Sequence, residues 1–124
     1  MPDQTLPAEL QEFLAKHIDS IAQLEALLLL RESPAMAWQG QNLAKRLYIE
    51  EQEAQQVLSH LSAHGFVVRE SEACRYAPAN DELERLTGLL ADHYRRHLIP
   101  ITNFVHSKPR RIRQFADAFK LKRD

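Results

Sequence analysis

The chain has 124 residues, of which 44% are hydrophobic and 27% charged. This composition is typical of a globular protein and unlike that of a disordered or fibrous chain. The length fits one compact domain and excludes two full ones, because domains usually span about 50–250 residues. The longest apolar run, residues 26–30, is far shorter than the roughly 18 residues that suggest a membrane span.

Two further features indicate a cytoplasmic protein without a membrane partner, and a third argues against catalysis. The acidic N-terminal stretch has no apolar segment of the kind found in secretory signals. The single cysteine, Cys74, excludes an internal disulfide and any zinc site with several cysteines. No glycine-rich phosphate loop, nucleophile elbow or paired catalytic carboxylates are found, and the chain has only 3 glycines. We therefore expect no catalytic residues, no cofactor and no enzyme activity.

The net charge of −1 hides a strong asymmetry along the chain. Residues 1–92 carry 7 Lys and Arg against 15 Asp and Glu, a charge of −8, whereas residues 93–124 carry 9 against 2, a charge of +7. A basic segment of this kind can bind nucleic acid, or it can lie against acidic surface in the same protein or in a partner. A solvated segment with no partner remains the third possibility.

The first elements in chain order are two predicted helices. One runs from Pro7 to about His17, since proline and first-turn acids favour a helix N-terminus. Asp19 or Ser20 then caps a core helix with apolar residues at the three-and-four spacing of one face. Ser33 and Pro34 end that helix, and residues 36–38 suit a small strand.

Two helices with a tight turn between them come next. We predict them at about Gly40–Leu47 and Glu50–His64, with Gly65 as a left-handed C-cap. Residues 66–69 and 74–77 then suit two β-strands, joined by the polar tip of residues 70–73. The whole order is helix, helix, strand, helix, helix, hairpin.

This pattern resembles MarR-type winged-helix regulators. The resemblance rests on residues 41–49, QNLAKRLYI, and on residues 57–67, VLSHLSAHGFV, which match the leucine–alanine helix and the recognition helix followed by a glycine and a strand. It covers about residues 19–78. It implies a mostly α fold with a small β-hairpin wing, of the α+β class: a winged helix-turn-helix with additional N-terminal and C-terminal helices. Residues 1–124 would form a single domain, with a winged-helix core at 19–78 and a C-terminal helical extension at 80–124.

The C-terminal extension is expected to mediate dimerisation. After an Asn80 or Asp81 cap, one helix carries an apolar stripe, and Pro100 should kink or end it. A last helix is predicted to begin near Ser107 with a second stripe, which needs a partner surface. In similar regulators, the helix after the wing is commonly the dimer contact. The residues of the two stripes assigned to a homodimer are Leu83, Leu86, Leu90 and Tyr94, then Ile112, Phe115 and Phe119.

A winged helix that binds double-stranded DNA places the start of its second motif helix at the base edges. Here we expect Gln52, Gln55 and Gln56 to face the bases. The same helix begins with Glu50, Glu51 and Glu53, which depart from the pattern because carboxylates are repelled by phosphates; alternatively they are simply favourable first-turn charges. Residues expected to contact phosphates are Lys45, Arg46, Arg69 and Arg75, with Arg110, Arg111 and Arg113 from the basic tail.

Two alternatives to a DNA-binding transcriptional regulator remain open. The first is a winged-helix interaction module that binds another protein through its acidic face or its C-terminal helices. The second and weaker one is a metal-responsive repressor of the ArsR type, suggested by two histidine pairs at i, i+4: His60 with His64, and His93 with His97. A solvated or packing role for these histidines is favoured, so no metal ligand is assigned.

Overall fold

The computed structural model describes residues 6–107, which are mostly helical with one small two-stranded antiparallel sheet. This confirms the α+β class. The elements are α1 (Ala8–His17), α2 (Ile21–Glu32), α3 (Gly40–Leu47), α4 (Glu51–Ala63), β1 (Val67–Glu70), β2 (Ala73–Tyr76) and α5 (Asp81–Arg96); residues 98–107 form a further helical segment, α6. Among the described residues, no helix combines the length and apolar character that crossing a bilayer requires.

The first two helices follow the sequence prediction closely. Ser20 caps α2, since its hydroxyl accepts a hydrogen bond of 3.2 Å from the backbone N–H of Gln23. The inner face of α2 is fully buried, and α1 contributes Leu10, Phe13 and Leu14 to the same core. The N-terminal helix is therefore an integral part of the core.

The small strand predicted at residues 36–38 is reduced to one residue. Only Trp38 pairs, exchanging backbone hydrogen bonds of 2.7 and 2.8 Å with Cys74. Met36 is held instead in a turn, because its N–H bonds the carbonyl of Ser33 at 3.0 Å. The turn that ends α2 thus takes up the residues that a longer strand would need.

The hairpin is confirmed, but its tip is shorter than predicted. Val67 pairs with Tyr76 and Glu70 with Ala73, so the tip is Ser71 and Glu72, whereas the sequence suggested residues 70–73. Gly65 has a φ of +83°, as expected for a left-handed residue after a helix. That turn directs β1 back along α4.

The C-terminal region differs from the prediction in where the helix break lies. Asn80 caps α5 through a 2.9 Å bond from the N–H of Leu83, and α5 ends at Arg96. Pro100 was expected to kink or end this helix; it lies instead in the first turn of α6, where proline's missing N–H costs no hydrogen bond. The last helix, predicted to begin near Ser107, falls outside the described residues apart from its start. Before it, α6 buries Ile101 and Val105.

Candidate nucleic-acid interface

The helix-turn-helix is formed by α3 and α4 with a turn of three residues. Tyr48, the first of these, is in the left-handed region with φ 59° and ψ 44°. The backbone N–H groups of Tyr48 and Ile49 both bond the carbonyl of Ala44, the second at 3.1 Å. This closes α3 and turns the chain sharply into α4.

One face of α4 is buried and the other is exposed. Its buried residues follow the spacing of a helical stripe: Ala54, Val57, Leu58 and Leu61. The three glutamines predicted to face bases, Gln52, Gln55 and Gln56, are all exposed. They share the first two turns of α4, the part of a recognition helix that meets base edges.

Gln55 is the most constrained of the three glutamines. Its amide donates a 3.3 Å hydrogen bond to Glu51 Oε2. A Cβ added at Gly40 would lie 2.6 Å from Gln55 Cγ, so the glutamine crosses the first residue of α3 at a distance that only glycine permits. A side chain at position 40 would therefore require Gln55 to move.

A cleft of about 550 Å³ separates the exposed face of α4 from the hairpin. Its lining includes Gln41 from α3, Gln55 and Ser59 from α4, and Arg69 and Glu72 from the hairpin. Arg69 Nη2 donates to Ser59 Oγ at 3.3 Å, which joins β1 to α4. The walls are polar, and the cleft is open to solvent.

The four basic residues predicted to bind phosphate in this region have different surroundings. Lys45 is exposed and forms no salt bridge with another residue of the 6–107 region. Arg69 bonds Ser59, and Arg75 is paired with Glu70 on the hairpin. Arg46 borders a different groove, between α2, α3 and α5. Of these four, Lys45 and Arg69 are thus neither paired with a carboxylate nor at the other groove; Arg110, Arg111 and Arg113 lie outside the described residues.

Carboxylates dominate the start of α4. Glu50, Glu51 and Glu53 are all exposed, and Glu50, the N-cap residue, makes no side-chain cap hydrogen bond. Acids in the first turn stabilise a helix through its dipole. They also reduce the positive potential of this face, since residues 39–75 carry 4 basic and 5 acidic side chains.

The stripe on α5 that was assigned to a dimer contact is largely covered within the chain. Leu90 is fully buried, and Leu83, Leu86 and Tyr94 are partly buried against the core. The exposed apolar side chains nearby are Leu98 and Ile99, 51% and 68% exposed. The second stripe, Ile112, Phe115 and Phe119, lies outside the described residues.

The His60–His64 pair belongs to a larger histidine cluster between α1 and α4. The two rings stack with centroids 4.2 Å apart. His17 Nδ1 is 2.9 Å from His64 Nδ1, and His60 Nε2 is 2.6 Å from the carbonyl oxygen of His17. Within residues 6–107, no group of three or more His, Cys, Asp and Glu side chains is arranged to hold a metal ion. In this geometry the cluster packs α1 against the C-terminal end of α4.

A polar cluster braces the hairpin from behind. Tyr76 donates a 2.5 Å hydrogen bond to Glu84 Oε1, and Arg31 Nη2 donates a 3.0 Å bond to Glu84 Oε2. Burial and the Glu84 carboxylate raise the pKa of Tyr76, and the hydrogen bond from Tyr76 lowers the pKa of Glu84. One carboxylate thereby links α2, β2 and α5.

Comparison of the chain with protein-family models, with curated proteins and with solved structures found no match. Two participants were not identified from the sequence: His17, which meets His64 from 47 residues away, and Tyr48 as an exposed side chain. A left-handed residue was foreseeable where two helices meet with so short a turn, but its exposure was not.

Proposed function

We propose that this chain is a winged helix-turn-helix DNA-binding protein of the cytoplasm that regulates transcription and has no catalytic role. The observation that carries the proposal is the combination of α3 and α4 with a hairpin on one side of α4. Gln52, Gln55 and Gln56 are exposed on the same helix. An exposed helix flanked by a hairpin suits the major groove, which admits an α-helix, while the hairpin approaches the neighbouring backbone.

The residues divide into two roles under this proposal. Glutamine amides can make paired hydrogen bonds to adenine, and so read sequence. Lys45 and Arg69 contact phosphates, which positions the protein without reading sequence. The basic tail, with Arg110, Arg111 and Arg113, adds contacts to flanking phosphates.

A second candidate is a winged-helix module that binds another protein. The exposed carboxylates Glu50, Glu51 and Glu53 favour it, because they oppose the approach of α4 to a polyanion. A basic partner surface would pair with them instead. The two candidates differ in whether the wild-type chain binds duplex DNA at all.

The test is fluorescence anisotropy with labelled duplexes of random sequence at about 50 and 200 mM NaCl. Each neutralised phosphate contributes a slope of about −0.9 in log affinity against log salt, so three contacts predict about 40-fold weaker binding at the higher salt. No binding at the lower salt would exclude the DNA proposal and leave the protein-binding module.

Variants separate the two roles. Lys45→Glu should weaken binding to every duplex and make the salt slope shallower by about one contact. Lys16→Glu is the matched control, because Lys16 is also exposed but lies on α1 beside α5. It should bind as wild type when light scattering shows the wild-type oligomeric state, since Lys16 shares a groove with Leu83 and Leu86. Gln55→Ala should reduce discrimination between a selected site and its scrambled form, with little change in binding to random duplex. The double change Arg110→Glu and Arg111→Glu tests the tail.

The proposal includes a homodimer, since a two-fold protein reads two half-sites one helical turn apart. On α5, Leu83 and Leu86 are only partly buried, so their exposed portions would contribute to the dimer contact. The second stripe, Ile112, Phe115 and Phe119, would form the rest of it. Light scattering on a sizing column tests this part. A monomer at micromolar concentration would exclude the homodimer without excluding DNA binding.

A further inference from the structure

Tyr48 is an unusual residue for its position. It has a φ of 59°, a region where the Cβ of an L-residue is crowded and where glycine or asparagine fits at little cost. Its side chain is 94% exposed. Neither the backbone nor the packing of residues 6–107 therefore explains why a large aromatic side chain lies in this turn.

The position of this residue connects it with the proposed interface. Tyr48 lies between the last turn of α3 and the first turn of α4. Its near neighbour Lys45 lies one helical turn beyond Gln41 on the same face of α3, and Gln41 lines the cleft beside α4. Lys45 and Tyr48 therefore lie three residues apart, where α3 passes into the turn.

The other non-glycine residue with positive φ in the described part of the chain is Ser71, with a φ of 60° at the hairpin tip. A two-residue hairpin turn requires positive φ at its first residue, so the conformation of Ser71 is explained locally. The turn after α3 also requires a left-handed residue, but glycine or asparagine would meet that requirement with less crowding. The choice of tyrosine at position 48 is therefore the feature that needs an explanation.

We infer that Tyr48 is a DNA-backbone contact whose hydroxyl donates a hydrogen bond to a phosphate at the edge of the groove entered by α4. The inference rests on the proposed function and adds a specific contact to it. In helix-turn-helix docking the first helix crosses the backbone and the second enters the groove, so the turn joining them lies beside phosphates. Tyrosine hydroxyls are established phosphate donors, and Lys45 provides the neighbouring charge.

The test compares Tyr48→Gly, Tyr48→Asn and Tyr48→Phe in thermal unfolding and in anisotropy with a selected duplex and its scrambled form at about 50 mM NaCl. Tyr48→Gly and Tyr48→Asn should keep the wild-type melting temperature or raise it by a few degrees, because both residues suit a left-handed backbone. Both should bind each duplex about tenfold more weakly, since a hydrogen bond to a charged group is lost. Tyr48→Phe, which removes only the hydroxyl, should lose most of the same affinity.

Met36→Ala is the matched control, because Met36 is also an exposed large apolar residue but lies in the turn that ends α2. It should bind as wild type. Wild-type affinity in Tyr48→Asn would overturn the inference, as would a loss confined to the selected duplex, which would indicate a base contact. A fall of several degrees in the melting temperature of Tyr48→Asn would also overturn it, by showing that the side chain is retained for stability.

Failure of the inference and failure of the proposed function give different results. If Lys45→Glu weakens binding and the Tyr48 variants do not, only the inference fails. If the wild-type chain binds no duplex even at low salt, the proposed function fails and the inference fails with it.

Discussion

Glu84→Gln tests whether one carboxylate holds the hairpin to the helical core. Wild-type Glu84 accepts from Tyr76 at 2.5 Å and from Arg31 at 3.0 Å. A glutamine has one acceptor oxygen, which can accept from Arg31 while the amide N–H₂ faces Tyr76 and donates to its phenol oxygen. The substitution therefore reverses one hydrogen bond and removes the charge from both.

The magnitude follows from the exposure of the site. A hydrogen bond to a charged group is worth about 1.5–3 kcal/mol, but the Glu84 side chain is 45% exposed and that of Arg31 33%, so solvent screening reduces the contribution. We expect a loss of about 1 kcal/mol in the free energy of unfolding. For a chain of 124 residues, that corresponds to about 4 °C in melting temperature.

The pH dependence has a definite sign. The folded-state pKa of Glu84 is lowered, chiefly by the hydrogen bond from Tyr76. The ionised Glu84 carboxylate therefore contributes its full stabilisation at pH values above the ordinary pKa of a glutamate in the unfolded chain. This stabilisation is lost as the pH falls through the lower folded-state pKa of Glu84. The difference in stability between wild type and Glu84→Gln should be largest near pH 7 and shrink towards about pH 3.

Urea unfolding at about pH 7, 5 and 3 measures this difference directly. Glu82→Gln is the control, because Glu82 is in the same first turn of α5 but pairs with Arg85 at an exposed site; it should lose clearly less stability than Glu84→Gln. A difference below about 0.3 kcal/mol between Glu84→Gln and wild type at neutral pH, or one that does not change with pH, would refute the bracing role.

Three further substitutions or treatments test the fold. Gly65→Ala should cost about 1 kcal/mol, because Gly65 has a φ of +83° and the new Cβ would lie 3.4 Å from the Cβ of Ala79; an unchanged urea midpoint would contradict this. Leu90→Ala should cost about 2–5 kcal/mol in urea unfolding, since Leu90 is fully buried, whereas Leu98→Ala, at a site 51% exposed, should cost under about 0.5 kcal/mol; equal effects would place Leu90 outside the core. Cys74 is fully buried, and burial raises the pKa of its thiol, so iodoacetamide should label it in mass spectra only after unfolding in urea; rapid labelling of the native chain would contradict its burial.

Much of the local structure could be predicted because short-range chemistry determines it. The cap at Ser20, the left-handed Gly65 and the buried stripe of α4 each depend on residues within one or two turns of the chain. Pairing over longer distances was less predictable. The bridge between Trp38 and Cys74, with the turn at Ser33 shortening the strand, depends on contacts that no local pattern encodes.

Some features of the candidate site also follow from nearby residues, whereas others depend on residues that are distant in sequence. The exposure of Gln52, Gln55 and Gln56 follows from helical periodicity. The approach of His17 to His64 and the arrangement of Arg31, Tyr76 and Glu84 do not, because each joins residues that are distant in sequence. The end of α5 was also predicted in the wrong place, at Pro100 rather than at His97. The reason is that proline is compatible with the first turn of a new helix as well as with the end of the preceding one.

The central proposal is that α4 and the hairpin bind duplex DNA. The most direct measurement is an NMR titration of the ¹⁵N-labelled chain with a random duplex at about 50 mM NaCl, where phosphate contacts are strong. Amide shifts are expected in residues 48–56 and at the hairpin around Arg69, with little change in the amides of Leu10 and Leu14 on α1. An unchanged spectrum, or shifts confined to α1 and α5, would contradict DNA binding through this surface.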